Sequence, residues 1–437
     1  MTNIDREKIF IDKVSEKKTI VAIAGLGYVG LPLALSFAEA GYQVLGLDVD
    51  GEKVKKIGRR ESYIGHVSKN RLKDAAALFS ATTDFKLAGE ADAVIICVPT
   101  PLTANRDPDL SFVRGTLESL LPHLKEGQLL SLESTTYPGT TTEILRPPLE
   151  ARGLIPGKNY FLVYSPERED PANPDFRTQT IPKVLGGATP ACARAGLALY
   201  GKIIARMVPV SSPEAAELTK LLENIYRAVN IGLVNELKLV ADGMGLDIHE
   251  VINAAATKPF GFTPFYPGPG IGGHCIPVDP FYLTWKARAY GIHTRFIELA
   301  GEINSGMPRH VTEKLAGALN ERGMPLKGAK ILLLGMAYKK NVEDMRESPS
   351  LEVLKILLDR GADVSYSDPH VPELPPTRRG SYNLTSEPLT PENLEGFDAV
   401  MMLTNHKAFD RELILRHSKL LVDTRGAFPA GPNVVKA

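Results

Sequence analysis

The sequence predicts an α/β protein in which two Rossmann-like, doubly wound domains are joined by a long central helix and a helical middle domain. Three observations predict it. An apolar, β-rich run at 19–30 breaks into glycines and is followed by helical apolar spacing and a second apolar run ending near residue 50. Residues 211–245 open on Ser/Pro, close on Gly243 and Gly245, and carry Gly232 as their interior glycine. From residue 327 the opening pattern returns.

Along the chain, TIVAIAGLGYVG (19–30) reads as strand and tight turn, LPLALSFAEAG as a helix with a glycine stop, and YQVLGLDVD as a strand ending in acid. Together they make one βαβ unit with a right-handed crossover. ADAVIICVPTP (91–101), GQLLSLESTTYPG (127–139) and NYFLVYSPE (159–167) are buried-type strands whose ends carry Pro, Thr or Ser, as ligand-facing loops of a parallel sheet do. The first domain is expected over 1–210. A helix across 211–245 is a rod of roughly 50 Å. A second helical block runs to about residue 320, interrupted by KPFGFTPFYPGPGIGGHCIP (258–277), too rich in proline and glycine for regular structure, so the central domain is expected over 211–322. KGAKILLLGMAYK (327–339), the helix SPSLEVLKILLDRGA and DVSYSDP (363–369) repeat the βαβ pattern, and FDAVMMLTNH (397–406) and KLLVDTRG (419–426) add strands. A second α/β domain is expected over 323–437, with Gly335 standing without the other fingerprint glycines.

Composition narrows the function. The 437 residues hold 51 Lys+Arg and 51 Asp+Glu, with 43% hydrophobic and 23% charged, the profile of a folded globular chain rather than a disordered or fibrous one. No basic domain is present to follow a phosphate backbone, so nucleic acid is not an expected partner. Cys97, Cys192 and Cys275 form no C-x-x-C pair, so no disulfide framework and no metal site is expected, and a reducing cytoplasm is the expected compartment. The N-terminal segment lacks an apolar signal region and no stretch approaches the ~20 apolar residues of a membrane span.

Gly25, Gly27 and Gly30, with Tyr28 and Val29 between them, sit between strand and helix, where a dinucleotide pyrophosphate meets open backbone N–H groups at the positive helix end. Asp48 follows Gly30 by eighteen residues at the end of the second strand, placed to accept from the ribose hydroxyls. It argues for NAD over NADP, because a 2′-phosphate would meet like charge; Lys53 is placed to contact either dinucleotide. Cys275 follows Gly268, Gly270, Gly272 and Gly273 and precedes a helix start, a setting that stabilises a thiolate, whereas Cys97 and Cys192 read as core thiols. Asp279 reads equally as an N-cap or a functional carboxylate. Lys220 and Asn224 are spaced i, i+4 with Arg227 on the same face. A solvated face is the plain reading, but Asn224, Asn230 and Asn235 all weaken this helix, which points to partners for some of these amides. Glu167 beside Arg168 reads as a surface pair or an active-site acid, and His274 as structural.

Taken in order, GLGYVG, ESTTYPGTT, SPER, AELTKLLENIYRAVNIGLVNE, GPGIGGHCIPVDP and GMAYKKNVEDMRESPS resemble the nucleotide-sugar 6-dehydrogenases of the UDP-glucose/GDP-mannose dehydrogenase family over nearly the whole chain. ESYIGHV and the 258–288 segment are most similar to the branch acting on UDP-N-acetylglucosamine, and Tyr266 and Pro267 stand where the UDP-glucose branch tends to place a lysine. The resemblance implies NAD-dependent oxidation of a C6 alcohol to a carboxylate in two hydride transfers, with Cys275 forming a thiohemiacetal and then a thioester that water hydrolyses. It implies Lys220 and Asn224 as stabilisers of the C6 oxyanion, Asp279 as a proton-transfer carboxylate, Thr136 as the hydroxyl that positions water, and Glu167 as an acid in thioester hydrolysis. By the same resemblance Thr100 and Thr136 are expected beside the nicotinamide, and Arg346 is expected to reach the cofactor. The resemblance also implies that Lys339 contacts the UDP-sugar, with Arg168, Tyr266 and Gly272 joining Glu167, Lys220 and Asn224 as substrate-binding residues. The long helix implies a homodimer or an assembly of dimers.

Alternatives stay open. The same reaction on UDP-glucose, UDP-N-acetylgalactosamine or GDP-mannose uses the same residues. A two-electron β-hydroxyacid dehydrogenase shares a Rossmann domain and a helix with Lys and Asn but needs no cysteine, and an NAD-binding structural protein needs no turnover at all.

Overall fold

The structure, a computed structural model, describes all residues except 1–2, 66, 104, 169–178, 274–275 and 378–379, and excludes the side chains of residues 3 and 4. The chain divides into two compact units, residues 1–223 with 281–292, and residues 224–280 with 293–437.

The first unit is built on eight strands: β1 (Ile20–Ala24), β2 (Gln43–Leu47), β3 (Phe79–Thr82), β4 (Ala93–Ile96), β5 (Leu129–Leu132), β6 (Phe161–Tyr164), β7 (Lys183–Gly187) and β8 (Met207–Val210). They lie in the order β3-β2-β1-β4-β5-β6-β7-β8. All neighbours are parallel except β6 and β7. The first six reproduce the doubly wound dinucleotide-binding order, whose ligand crevice opens where the winding reverses, beyond the C-terminal ends of β1 and β4. Strands β4, β5 and β6 are buried along their whole length, which is why their sequences read as unbroken apolar runs instead of alternating ones. The helix Gly30–Glu39 starts directly from the turn after β1. The sequence analysis gave no strand at β3, β7 or β8, and no helix over Asn3–Ser15. Phe10 and Val14, one turn apart, are buried in the core, and the Phe10 ring lies 5.5 Å from that of Phe161. Two apolar positions among many charges make a weak periodic pattern, yet suffice when a finished core receives them. Cys97 and Cys192 are buried, as expected of core thiols, and burial, reinforced by Glu133, pushes the Cys97 thiol up.

The long helix runs unbroken over Pro213–Met244, 32 residues. In the second unit its later turns pack against the helix Arg295–Asn320, where a side chain at Gly232 would crowd Ala300 at 3.0 Å. Asn235 Nδ2 donates to Asn304 Oδ1 at 2.8 Å, so this amide has the tertiary partner its position implied. Asp242 closes the far end, accepting from Lys238, from His310 at 3.2 Å and from Lys314 at 3.2 Å. The sheet of this unit holds β9 (Lys330–Leu334), β10 (Asp363–Ser367), β11 (Ala399–Met402), β12 (Leu421–Asp423) and β13 (Val434–Lys436), all parallel, in the order β10-β9-β11-β12-β13. Among the described residues no helix is long and apolar enough to cross a membrane, and no group of His, Cys, Asp and Glu is placed to hold a metal ion.

Candidate active site

In the first unit the turn after β1 is open to a ligand. Gly25 adopts φ +95°, and a side chain there would meet the Cys97 carbonyl at 2.6 Å. A side chain at Gly30 would collide with the Gly25 carbonyl, whereas Gly27 faces open space. Tyr28 and Val29 between them are partly buried. Backbone N–H groups at a helix start, approachable because two glycines keep the turn tight, fit a pyrophosphate. Asp48 is buried at the end of β2. Its Oδ2 accepts from the Leu26 N–H at 2.8 Å and lies 3.3 Å from Lys53 Nζ, while Oδ1 accepts from the Asp50 N–H at 2.9 Å. The carboxylate is thereby oriented at the mouth of the turn with its charge partly balanced. At the reversal of winding, Thr100 Oγ1 donates to the Thr135 carbonyl at 2.7 Å, tying the loops after β4 and β5 together. Thr136 is 0% exposed and its hydroxyl has no hydrogen-bond partner among the described residues. An orphaned buried hydroxyl in a loop at the C-terminal end of a parallel strand is the kind of group a bound ligand satisfies.

Two carboxylates hold these loops. Glu217, on the long helix, accepts from the N–H groups of Gly139 at 2.6 Å and Thr141 at 2.9 Å and from the Thr141 hydroxyl at 2.7 Å, which fixes the turn following Thr136. Burial raises the Glu217 carboxyl to about 7 against the pull of those three donors. Glu133, just after β5, accepts from Lys183 Nζ at 2.8 Å, and the same ammonium donates to the Pro166 carbonyl at 3.0 Å. Arg168 donates to the Pro182 carbonyl at 2.6 Å and pairs with Glu223 at 2.6 Å. The Ser165–Arg168 stretch is therefore fastened from both sides, and Val29, Leu33, Glu133, Glu167, Arg168 and Lys183 line one cavity.

Lys220 and Asn224 are 5% and 0% exposed, so this polar stretch of the long helix is not a solvated face. In the second unit Asn224 Nδ2 donates to Asp279 Oδ2, and Asn224 Oδ1 accepts from Arg227. Asp279 opens the helix Asp279–Arg288 and is buried. It thus does more than cap. His274 and Cys275 lie outside the described residues. The glycine loop before them is fixed by Asn235 Oδ1, which accepts from the Gly268 N–H at 3.1 Å, and by the Gly273 N–H, which donates to the Arg346 carbonyl at 3.0 Å. A side chain at Gly272 would meet Tyr338 Cβ at 2.7 Å. The loop thus lies against the segment holding Lys339 and Arg346. Tyr266 is half-exposed, stacks on His249 with ring centres 6.3 Å apart, and donates its hydroxyl to Asn253 Oδ1 at 2.9 Å. Arg346 makes a two-pronged pair with Asp344, its Nη2 at 2.6 Å and its Nε at 3.0 Å.

The first unit thus offers one open nucleotide-type turn with Asp48 at its mouth, and the second a buried Asn224–Asp279 pair at the start of the helix Asp279–Arg288. The NAD binding domain of the UDP-glucose/GDP-mannose dehydrogenase family matches residues 19–204, its central domain residues 214–306 and its UDP binding domain residues 332–430. The chain belongs to that family. Its cofactor is NAD and it is an oxidoreductase of the nucleotide-sugar dehydrogenase group. A UDP-N-acetyl-D-glucosamine 6-dehydrogenase of Pseudomonas aeruginosa is 36% identical over 391 residues, 89% of this chain and 91% of that protein. A UDP-N-acetyl-D-mannosamine dehydrogenase of Methanococcus maripaludis is 34% identical over 393 residues, 89% of this chain and 86% of the relative. Among solved structures, the UDP-D-ManNAc dehydrogenase of Pyrococcus horikoshii superposes with a TM-score of 0.84 at 32% identity, over 94% of this chain and 97% of that one.

Sequence reasoning in this family frame missed several groups. Glu133, Lys183 and Glu217 brace the loops but lie 50 and 76 residues from their partners. Arg425 Nε donates to the Leu403 carbonyl at 2.6 Å, and its guanidinium fills the space that any side chain at Gly268 would take. The signal for Arg425 was available: DTRG ends a strand as VPTP and SPER do.

Proposed function

We propose that the chain oxidises the C6 hydroxyl of UDP-N-acetylglucosamine to the carboxylate in two successive two-electron steps, through a covalent intermediate on Cys275. The observation that carries this reading is the buried Asn224–Asp279 hydrogen bond, which sets an amide of the long helix against a carboxylate that follows Cys275 by four residues in the sequence. Bound in the first unit, NAD+ would supply the hydride acceptor for both steps, so the overall reaction would use two NAD+ and one water per sugar. Gly25, Gly27, Tyr28, Val29, Gly30, Asp48, Lys53, Thr100 and Arg346 hold the cofactor in this reading. Lys220 and Asn224 donate to the C6 oxygen as negative charge develops on it. The Cys275 thiolate adds to the C6 aldehyde; after the second oxidation, water attacks the thioester carbon and the C–S bond breaks to return the thiolate. Thr136 orients that water and Asp279 and Glu167 move its protons. Lys339, Arg168, Tyr266 and Gly272 contact the nucleotide sugar. We assign NAD to residues 1–210, the UDP moiety to 323–437, and dimer formation to 211–322, in a cytoplasmic enzyme.

The sugar assignment is supported by the ESYIGHV and Tyr266–Pro267 wording and by the Pseudomonas relative. Leu222, Tyr226, Leu233, Leu237, Val240 and Met244 expose apolar surface along the long helix, which supports a second copy of the chain as its partner. The test is a panel of UDP-N-acetylglucosamine, UDP-N-acetylmannosamine, UDP-N-acetylgalactosamine, UDP-glucose and GDP-mannose ranked by kcat/KM. UDP-N-acetylglucosamine is expected to lead by roughly tenfold or more; a lead for any other sugar overturns the assignment.

A further inference from the structure

We propose that His406 is a positioning residue: its neutral imidazole locks the Lys339–Arg346 loop onto the second sheet and so sets affinity for the UDP moiety. The inference rests on the reading that Lys339 contacts the nucleotide sugar. It begins from a backbone problem. The segment between β9 and the helix Pro349–Asp359 contains no helix or strand, so something other than regular hydrogen bonding must decide where Lys339 lies.

His406, four residues past β11, is 1% exposed. The Asn341 N–H donates to its Nδ1 at 2.9 Å. An amide N–H can only donate, so Nδ1 must present its lone pair and the ring proton sits on Nε2. Nε2 lies 3.1 Å from Asp368 Oδ2 and donates to it. Asp368 in turn accepts from the N–H groups of Met336 at 2.7 Å, Ala337 at 3.1 Å and His370 at 2.8 Å. Burial alone would raise this carboxyl, but the His406 and backbone donors hold it below its ordinary value. The imidazole therefore bridges a rigid carboxylate at the sheet and the backbone of Asn341, two residues past Lys339. Asn341 itself sits at φ +62°, and its Oδ1 accepts from the Lys407 N–H at 2.9 Å. A lysine fixed through its backbone in this way needs less ordering when a diphosphate arrives.

The two ring nitrogens can be tested separately. His406→Asn places an amide oxygen where Nδ1 was and keeps the acceptor for Asn341, while giving up the donor to Asp368. His406→Gln reaches Asp368 but leaves the partly buried Asn341 N–H without its imidazole acceptor. The probes are UDP and NAD+, each titrated calorimetrically into the full chain, with thermal unfolding recorded beside them. His406→Gln is expected to weaken UDP by roughly tenfold and leave NAD+ within about twofold, and His406→Asn is expected to restore most of the UDP affinity. Equal UDP affinities for the two variants, or a parallel loss for UDP and NAD+, would overturn the positioning role. Wild-type protein that fails to bind UDP would instead overturn the nucleotide-sugar reading beneath it.

Discussion

The turns that open the two sheets share a plan and differ in what they leave exposed. GLGYVG at 25–30 and GMAYKK at 335–340 each begin with a glycine at positive φ, +95° and +87°, lodged against a backbone carbonyl, of Cys97 or Thr404, beyond the next parallel strand. Each is met by an aspartate from the end of the second strand, Asp48 taking the Leu26 N–H at 2.8 Å and Asp368 the Met336 N–H at 2.7 Å. There the likeness stops. In the first turn the helix starts at Gly30, and Asp48 pairs with a partly exposed Lys53. In the second, Ala337 and Lys340 stand where Gly27 and Gly30 would be, the helix waits until Pro349, and Asp368 is closed off by His406. The first glycine and the aspartate are what a parallel βα turn requires, and the other two glycines and the open carboxylate are what a dinucleotide requires. The second turn has in place of the latter set a longer loop that carries Lys339, Lys340 and Arg346.

The largest effect should come from the glycine that distinguishes the turns. In Gly30→Ala the new methyl collides with the Gly25 carbonyl, so the helix start shifts and NAD+ affinity falls by roughly a hundredfold, a few kcal/mol of overpacking. Lys340→Ala, at the matching position, should leave NAD+ affinity within about twofold. Calorimetric titration of both variants checks this, and unchanged NAD+ binding by Gly30→Ala would break the comparison.

The units should also answer pH in opposite directions. The Glu217 carboxyl, raised from 4.5 to about 7, keeps in the folded chain a proton that the unfolded chain releases. Stability of the first unit therefore falls as pH rises from about 4.5 to 7, by up to ~3 kcal/mol, and levels off above. Asp242 is lowered from 3.8 to about 2, because hydrogen bonds from His310, Lys238 and Lys314 outweigh its burial. Its contribution to the second unit, ~2 kcal/mol, is present above pH 4 and is lost as pH falls toward 2. Segment-resolved hydrogen exchange should show Glu217→Gln flattening the slope around Thr141–Leu145 between pH 4.5 and 7, and Asp242→Asn flattening the acid loss in the helix Arg295–Asn320. The same slope in both units for the wild type would contradict these assignments.

What the sequence disclosed follows the range of the interactions. The Gly25–Gly30 turn, Asp48 and the 32-residue helix are local patterns, each contained within about thirty residues, and all were legible. The Asn residues on the long helix were legible as anomalies, because an amide that weakens a helix must be repaid elsewhere, as Asn224 is by Asp279 and Asn235 by Asn304. Glu133, Glu217, Arg425 and His406 were not, since each looks ordinary in its own segment and acquires a role only from partners brought in by the sheet order. The helix Asn3–Ser15 was missed for the same reason: Phe10 and Val14 have meaning only against Phe161 and its neighbours.

The proposed thioester route on Cys275 requires that one bound sugar be oxidised twice. Counting NADH formed per UDP-N-acetylglucosamine consumed tests this directly. Two NADH per sugar with no free aldehyde are expected; one NADH per sugar with accumulating aldehyde would contradict the thioester route.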